Sequence, residues 1–334
     1  MQDCDIYFKN AEELIIFEEN LFNEILEEND GLMFIGKDIK RLLFEKLLNN
    51  YRQTFVSSQL GLESFITTKN YNALKRMKRL YARYESNYNI IKEGYLAVVI
   101  KLSMAIIDQL KKMISEEEDK KKKEDLKKNP TLISKLMVVY KEQDKIIKEC
   151  FNKHFDFKIM LVKALENCLN IKDLGFSMPF LIALYTSDIL KKSSKTMEDN
   201  ENTLIMDGIV TFLSCLEEKD KYLYYLSVFM SKRLLDKDLE SLNMLQWDRY
   251  LVQVIKAKLG PEITKNFEAM LQDVQLCYEK KYEFKHFLEN SGKEVADNDK
   301  MDLESDMIKQ QPQSQTHLQN LPAVCVTVLS KCEW

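Results

Sequence analysis

Residues that break helices are scarce in this chain. Its 334 residues include 8 glycines and 5 prolines, and so few breakers predict long helices joined by short turns. No GxGxxG, Walker loop or GxSxG stretch is present, which removes the dinucleotide-binding, P-loop and hydrolase-elbow readings. No window reaches the ~18 uncharged apolar residues that a membrane-spanning helix needs. The opening residues MQDCDIYFKN carry acids where a secretory leader would carry an apolar core. A formal charge of −4 supplies no global basic field to attract nucleic acid or an acidic membrane. Disulfides are also not expected. The seven cysteines (Cys4, Cys150, Cys168, Cys215, Cys277, Cys325 and Cys332) are scattered and odd in number. That pattern suits reduced thiols in the cytoplasm or nucleus.

Candidate chemistry is correspondingly thin. The three histidines, His154, His286 and His317, lie far apart. Cys150 and His154 are four residues apart and are expected on one helix face, a spacing two metal ligands could share. A zinc site needs three or four ligands, however, and no second pair with suitable spacing lies nearby. Neither a metal, a cofactor nor a catalytic residue is therefore expected. Acidic side chains are plentiful, but with no glycine-rich loop to organise a cleft they are expected at the solvated surface.

What the chain does have is helical periodicity. Val99, Leu102, Ile106, Leu110 and Met113 recur at three- and four-residue steps and predict one buried stripe. Leu132, Leu136, Val139, Ile146 and Cys150 continue the pattern after Pro130. Leu42, Phe44, Leu47, Leu48 and Tyr51 form an earlier stripe that is expected to break near Gly61. A further stop and restart is expected over 170–179, where Gly175 precedes Pro179. In DKYLYYLSVFMSKRLL, Asp220–Leu235, the residues Tyr222, Tyr225, Phe229 and Leu235, flanked by Leu223, Leu226 and Met230, make a wide apolar arc. Such an arc belongs inside a bundle, with Phe229 expected in the core and a partner-binding aromatic stripe as the alternative. Lys232 and Arg233 fall in the last turn, where cations complement the helix dipole.

Two polar segments interrupt this pattern. SEEEDKKKKEDLKKN, residues 115–129, has one apolar residue, Leu126, and is expected as a solvated loop or exposed helix end. Its lysines are interleaved with acids and no aromatic residue is present to stack on a base. Residues 291–320 are polar and predict a flexible insert. Only the last dozen residues, AVCVTVLSKCEW, alternate with period two, setting Val324, Val326 and Val328 against Cys325, Thr327 and Leu329.

Three blocks then stand in order. The first ends Ile189-Leu190-Lys191-Lys192-Ser193-Ser194-Lys195. The second runs Lys219-Asp220-x-Tyr222 to Lys232-Arg233-Leu234-Leu235. The third reads Gly260-x-Glu262-x-Thr264-x-x-Phe267-x-x-Met270-x-x-Asp273. Together they resemble the cullins, the elongated scaffolds of multisubunit ubiquitin ligases. Val326, Val328, Leu329 and Trp334 are similar to the opening strand of the cullin sheet domain. Upstream, DCDIYFKNAEELI resembles the second helical repeat of the cullin stalk, and FDFKIMLVKALENCLN, Phe155–Asn170, the end of the third. There are departures. Ser231 replaces an alanine, Ser187 and Asp188 are swapped, Asp248 stands where the family has glutamate, and the 291–320 insert is long. All are expected to lie outside the core.

The resemblance implies an all-α fold: an elongated stalk of helical repeats over 1–175, a four-helix bundle over 176–290, the polar insert over 291–321, and one β-strand of a truncated α/β domain over 322–334. It implies a non-catalytic ligase scaffold, with a helical tether or a non-functional truncated cullin as the alternatives. In cullins a RING-box subunit pairs with strands of the sheet, so Val326, Val328 and Leu329 are the candidate contact residues, and weak binding is expected from one strand. Neither the adaptor-binding site of the first repeat nor the lysine modified by a ubiquitin-like protein can be assigned to a residue here.

Overall fold

The structure, a computed structural model, describes residues 4–28, 33–51, 55, 61–82, 85–152, 154–172, 174–196, 199–235 and 245–301. Every regular element among them is helical. In chain order these are α1 (Cys4–Glu28), α2 (Met33–Phe44), which passes into a π-helical turn (Glu45–Asn49), α3 (Leu62–Thr67), α4 (Tyr71–Ala82), α5 (Glu85–Glu116), α6 (Lys120–Lys127), α7 (Thr131–Glu149), α8 (Phe155–Leu169), α9 (Met178–Thr196), α10 (Asp199–Cys215), α11 (Lys219–Leu234), α12 (Gln246–Leu259) and α13 (Pro261–Met301). The all-α fold that the scarcity of glycine and proline predicts is therefore present. The expected strand over Val324–Leu329, with Val326, Val328 and Leu329, lies outside the described residues.

The helices sort into two compact units. The first comprises residues 1–185 and 203–222, the second residues 186–202 and 223–334. In the first unit α5 is the central helix, packed against α8, α4, α7 and α3. Its buried face is Ile91, Tyr95, Val98, Val99, Ser103, Ile107 and Ile114. This corrects the stripe read from the sequence. Of its members only Val99 is buried, Leu102, Ile106 and Leu110 are half-buried, and Met113 is exposed. A helix of 32 residues with apolar side chains on more than one face offers two plausible phases, and packing against α8 selects the one that buries Tyr95. There Phe151 and Phe157 stack with ring centres 3.8 Å apart, and Tyr95 meets Phe157 edge-on at 5.4 Å.

The stripe on α7 is correctly phased: Leu132, Leu136, Ile146 and Cys150 are buried. The earlier stripe is half right, because Phe44 and Leu48 are buried while Leu42 and Tyr51 lie largely exposed. Phe8 of α1, fully buried, holds that region together with Phe55 (ring centres 4.8 Å apart), Phe65 and Tyr81. Arg76 of α4 reaches back to α1, pairing with Asp5 and lying 3.4 Å from Glu12.

The charged block 115–129 splits into the end of α5 and the eight-residue α6, none of whose residues is buried. Asp119 caps α6 by accepting from the Lys121 N–H at 2.9 Å. On α10, Gly208 lies where an added Cβ would come 2.4 Å from Met137 Sδ and 3.1 Å from Tyr140. The missing side chain lets α10 approach α7 closely, and Tyr140 and Thr211 hydroxyls meet beside it at 3.3 Å.

Helix α8 stops at Leu169 and α9 starts at Met178, as expected, with Gly175 at φ +76 between them. The polar stretch from 291 differs from expectation in part, since α13 continues helically to Met301. Gly292 is the only breaker before Pro312, and one glycine does not end a helix.

Candidate partner-binding surfaces

The Cys150–His154 pair does not share a helix. Cys150 closes α7 and His154 opens α8, where its Nδ1 accepts from the Asp156 N–H at 3.4 Å. The Cys150 thiol is buried and donates towards the Tyr71 carbonyl at 3.7 Å, and burial pushes its pKa up. A raised thiol pKa opposes both thiolate chemistry and metal ligation. Cys168 and Cys215 have the same kind of setting, donating to the carbonyls of Ile100 and Val162 at 3.9 and 3.8 Å. Burial raises the Cys168 pKa to about 11. Among the described residues no three His, Cys, Asp or Glu side chains converge, and no helix is long and apolar enough to cross a membrane.

A cleft lies at the turn that joins α8 to α9, lined by Leu174, Phe176, Lys172, Glu217, Glu218 and Lys221 among others. Asn170 builds it. Its Nδ2 donates to Glu166 O at 3.0 Å and Cys215 O at 2.8 Å, while its Oδ1 accepts from the Glu217 N–H at 2.9 Å. With its amide fully used, Asn170 ties the end of α8 to the turn after α10. The hydroxyl in the lining, Ser177, accepts from the Phe180 N–H at 3.4 Å. Lys221 of the lining pairs with Glu218 at 2.5 Å. The cleft is a joint between helices.

In the second unit, Arg233 at the end of α11 has a specific task that the sequence reading missed. Arg233 grips Asp248 of α12 with both terminal nitrogens, Nη1 donating to Oδ2 at 2.8 Å and Nη2 to Oδ1. Asp248 is 1% exposed. The departures at 231 and 248 are therefore core positions, contrary to expectation, since Ser231 is buried as well. The buried face of α11 is Tyr222, Leu223, Leu226, Met230 and Leu234. Phe229 and Tyr225 are half-buried, and Tyr224 and Leu235 exposed. Phe229 is thus not a core residue. The centre of the apolar arc lies one position further along than the periodicity predicts.

The Gly260–Asp273 motif becomes legible as a corner between α12 and α13. Gly260 ends α12 at φ +98, a left-handed value that favours glycine. Pro261 then opens α13, where its missing N–H costs nothing. Thr264, Phe267, Met270 and Asp273 fall on one buried face. Thr264 Oγ1 lies 3.0 Å from Glu268 Oε1, and Lys256 Nζ of α12 lies 2.9 Å from the same oxygen. The hydrogen bond from Lys256, supplemented by that of Thr264, holds the Glu268 carboxyl below its ordinary pKa.

Among the described residues, exposed apolar side chains include several on α1 and on α13. On α1 they are Ile6 (52% exposed), Leu14, Phe17 (63%) and Leu21. On α13 they are Leu276, Tyr282, Phe284 (60%) and Phe287 (64%).

Helices packed on helices, tied by polar side chains at their joints, define an all-α helical protein. Residues 1–281 match the Cullin family, described as the Cullin alpha solenoid domain, and the chain belongs to the cullin family. It is similar to Cullin-3 of Dictyostelium discoideum, at 23% identity over 256 residues covering 76% of this chain and 31% of the relative. Cullin-3B of Arabidopsis thaliana is 23% identical over 279 residues, 83% of this chain and 35% of the relative. Cullin-2 of Arabidopsis thaliana is 24% identical over 288 residues, 85% and 38% of the two chains. The chain thus spans about a third of the length of the curated relatives it matches.

Proposed function

We propose that this chain serves as a scaffold in a cullin-RING ubiquitin ligase, holding ligase subunits in ubiquitin-dependent protein degradation without catalysing a step itself. The carrying observation is the match to the cullin helical domain over 1–281. Its physical support is that the polar clusters described above, Asn170, Arg233–Asp248 and Lys256–Glu268–Thr264, each lock one helix to another. The work of such a protein is geometric, because fixing the distance between bound partners raises their effective concentration. Cytoplasm and nucleus are the compartments this reading implies.

The RING-box subunit is the partner to test. Pairing with a cullin sheet draws on backbone hydrogen bonds from neighbouring strands, and this chain carries one candidate strand, Val324–Leu329, with Val326, Val328 and Leu329 as contacts. An isolated strand is unstable in water. A pull-down of the 334-residue chain with a RING-box subunit is expected to recover less than a relative with the whole sheet recovers. Equal recovery would place the interface on the helices. Capture from cells without any ligase subunit would return the chain to the helical-tether reading.

A further inference from the structure

The segment Ser115-Glu116-Glu117-Glu118-Asp119 joins α5 to α6, and Ser115 is the one serine or threonine of the chain followed by four consecutive acids. It lies exposed in the last turn of α5, where its hydroxyl donates to the Lys112 carbonyl at 2.8 Å. Helical structure ends at Glu116, and residues 117–119 are irregular before Lys120 opens α6. No residue from 115 to 129 is buried, so the segment can be lifted into another protein's cleft without uncovering core. Its acids are lightly held. Glu116 reaches Lys112 at 3.7 Å with both side chains exposed, and Glu117 and Asp119 accept from the nearby N–H groups of Asp119 and Lys121. Glu118 makes no hydrogen bond or ion pair among the described residues.

An exposed hydroxyl set before a run of acids suits a serine/threonine kinase with a basic substrate groove, because opposite charges orient the two chains and select between substrates. We propose that Ser115 is the phosphorylation site of such an acid-directed kinase, with Glu118 as the main specificity contact, since it gives up no partner on binding. Ser115 Oγ attacks the γ-phosphorus of ATP. An Oγ–P bond forms, the bond from that phosphorus to the β–γ bridging oxygen breaks, ADP leaves, and the hydroxyl proton passes to the kinase's catalytic aspartate. Ser214 shows what position adds to sequence. Glu217 and Glu218 stand three and four residues after it, yet Cys215 and Leu216 are buried, so a kinase reaches that hydroxyl only by unpacking the end of α10. At Ser115 the modification puts a phosphate of about two negative charges at a helix C-terminus beside Glu116, where the macrodipole and the neighbouring charge both oppose it. The last turn of α5 therefore loosens. So does α6, because Met113 and Glu116 of that turn line one cavity with Leu126, the single apolar residue of α6.

The test incubates the full chain with magnesium ATP and a purified acid-directed kinase, in parallel with a base-directed kinase, which would read Lys111 and Lys112 ahead of the serine. The acid-directed enzyme is expected to add one phosphoryl group, which peptide mass spectrometry places on Ser115 and which Ser115→Ala abolishes. Glu118→Lys keeps the hydroxyl and should slow the transfer roughly tenfold or more, because a like charge then faces the basic groove. Both substitutions are at exposed positions and should leave melting unchanged. Hydrogen exchange of the phosphorylated chain should quicken over residues 113–127 and stay the same elsewhere. Phosphate found on Ser214 or another residue in place of Ser115 overturns the proposal. So does faster transfer by the base-directed kinase, or a Glu118→Lys rate equal to that of the wild type. Exchange that is unchanged or slowed, as a lysine clamp on the phosphate would give, overturns the loosening.

Discussion

Arg233 and Asp248 are 15 residues apart, and nothing in the sequence pairs them. A basic residue in the last turn of a helix is already accounted for by the dipole, and an aspartate in the first turn of a helix equally so. Their function depends on Asp248 being 1% exposed, which only the packing of α11 against α12 reveals. Removing one member of such a buried pair leaves the other charged and without compensation. Asp248→Ala is therefore expected to cost about 3–5 kcal/mol, while replacing both residues by well-packed apolar ones recovers much of that loss. Chemical denaturation of the single and double variants measures the difference, and equal losses in both would mean that the pair's charges are not what matters. Glu268 makes a prediction in pH. Lys256 holds its carboxyl below the ordinary value. Its contribution is then complete above the pKa of the unfolded chain and disappears as pH falls through the lower, folded value. Glu268→Gln should lower stability at neutral pH, where the contribution is complete, leave acid pH little changed, and so flatten the acid-side decline. Stability measured from neutral to acid pH checks this, and two parallel profiles would show the corner does not respond to protonation.

At the scale of elements, the sequence shows where helices are more readily than which side faces in. The breaks near Gly61 and Gly175, the restart at Pro179 and the corner at Gly260–Pro261 all follow from local stereochemistry, so they are legible without knowledge of any neighbour. Phase is different. A helix such as α5 or α11 carries apolar side chains on most of its circumference, and the choice among faces is made by whatever packs against it. Hence Met113 and Phe229, both assigned inward on periodicity, are exposed and half-buried, while Ile107 and Leu226 are buried. Truncating a buried aliphatic residue to alanine costs roughly 2–5 kcal/mol. Ile107→Ala and Leu226→Ala should fall in that range and Met113→Ala well under it, with Phe229→Ala between. Thermal melts of the four variants distinguish the phases, and a Met113→Ala loss matching that of Ile107→Ala would restore the stripe read from the sequence. The three blocks between 179 and 276 were legible as a family pattern for a related reason. The second and third coincide with a buried ion pair and a corner, each demanding particular residue types rather than mere hydrophobicity.

For the whole molecule, the scaffold role makes a demand that no single residue or helix can meet. A protein that enforces separation between bound subunits must hold its ends apart, and it must do so without a ligand to brace it. Helical repeats achieve this when each layer contacts mainly its neighbours, so that length grows with the number of layers rather than with its cube root. A compact globule of 334 residues would have a radius of gyration of about 20 Å. The proposed function therefore predicts a value clearly above that, and a pair-distance distribution with a long tail, by small-angle scattering of the monomer. The measurement is extrapolated to low concentration, so that contacts between molecules do not lengthen the particle. A radius near the globular value would remove the geometric basis of the scaffold reading, even with the helices and their joints intact.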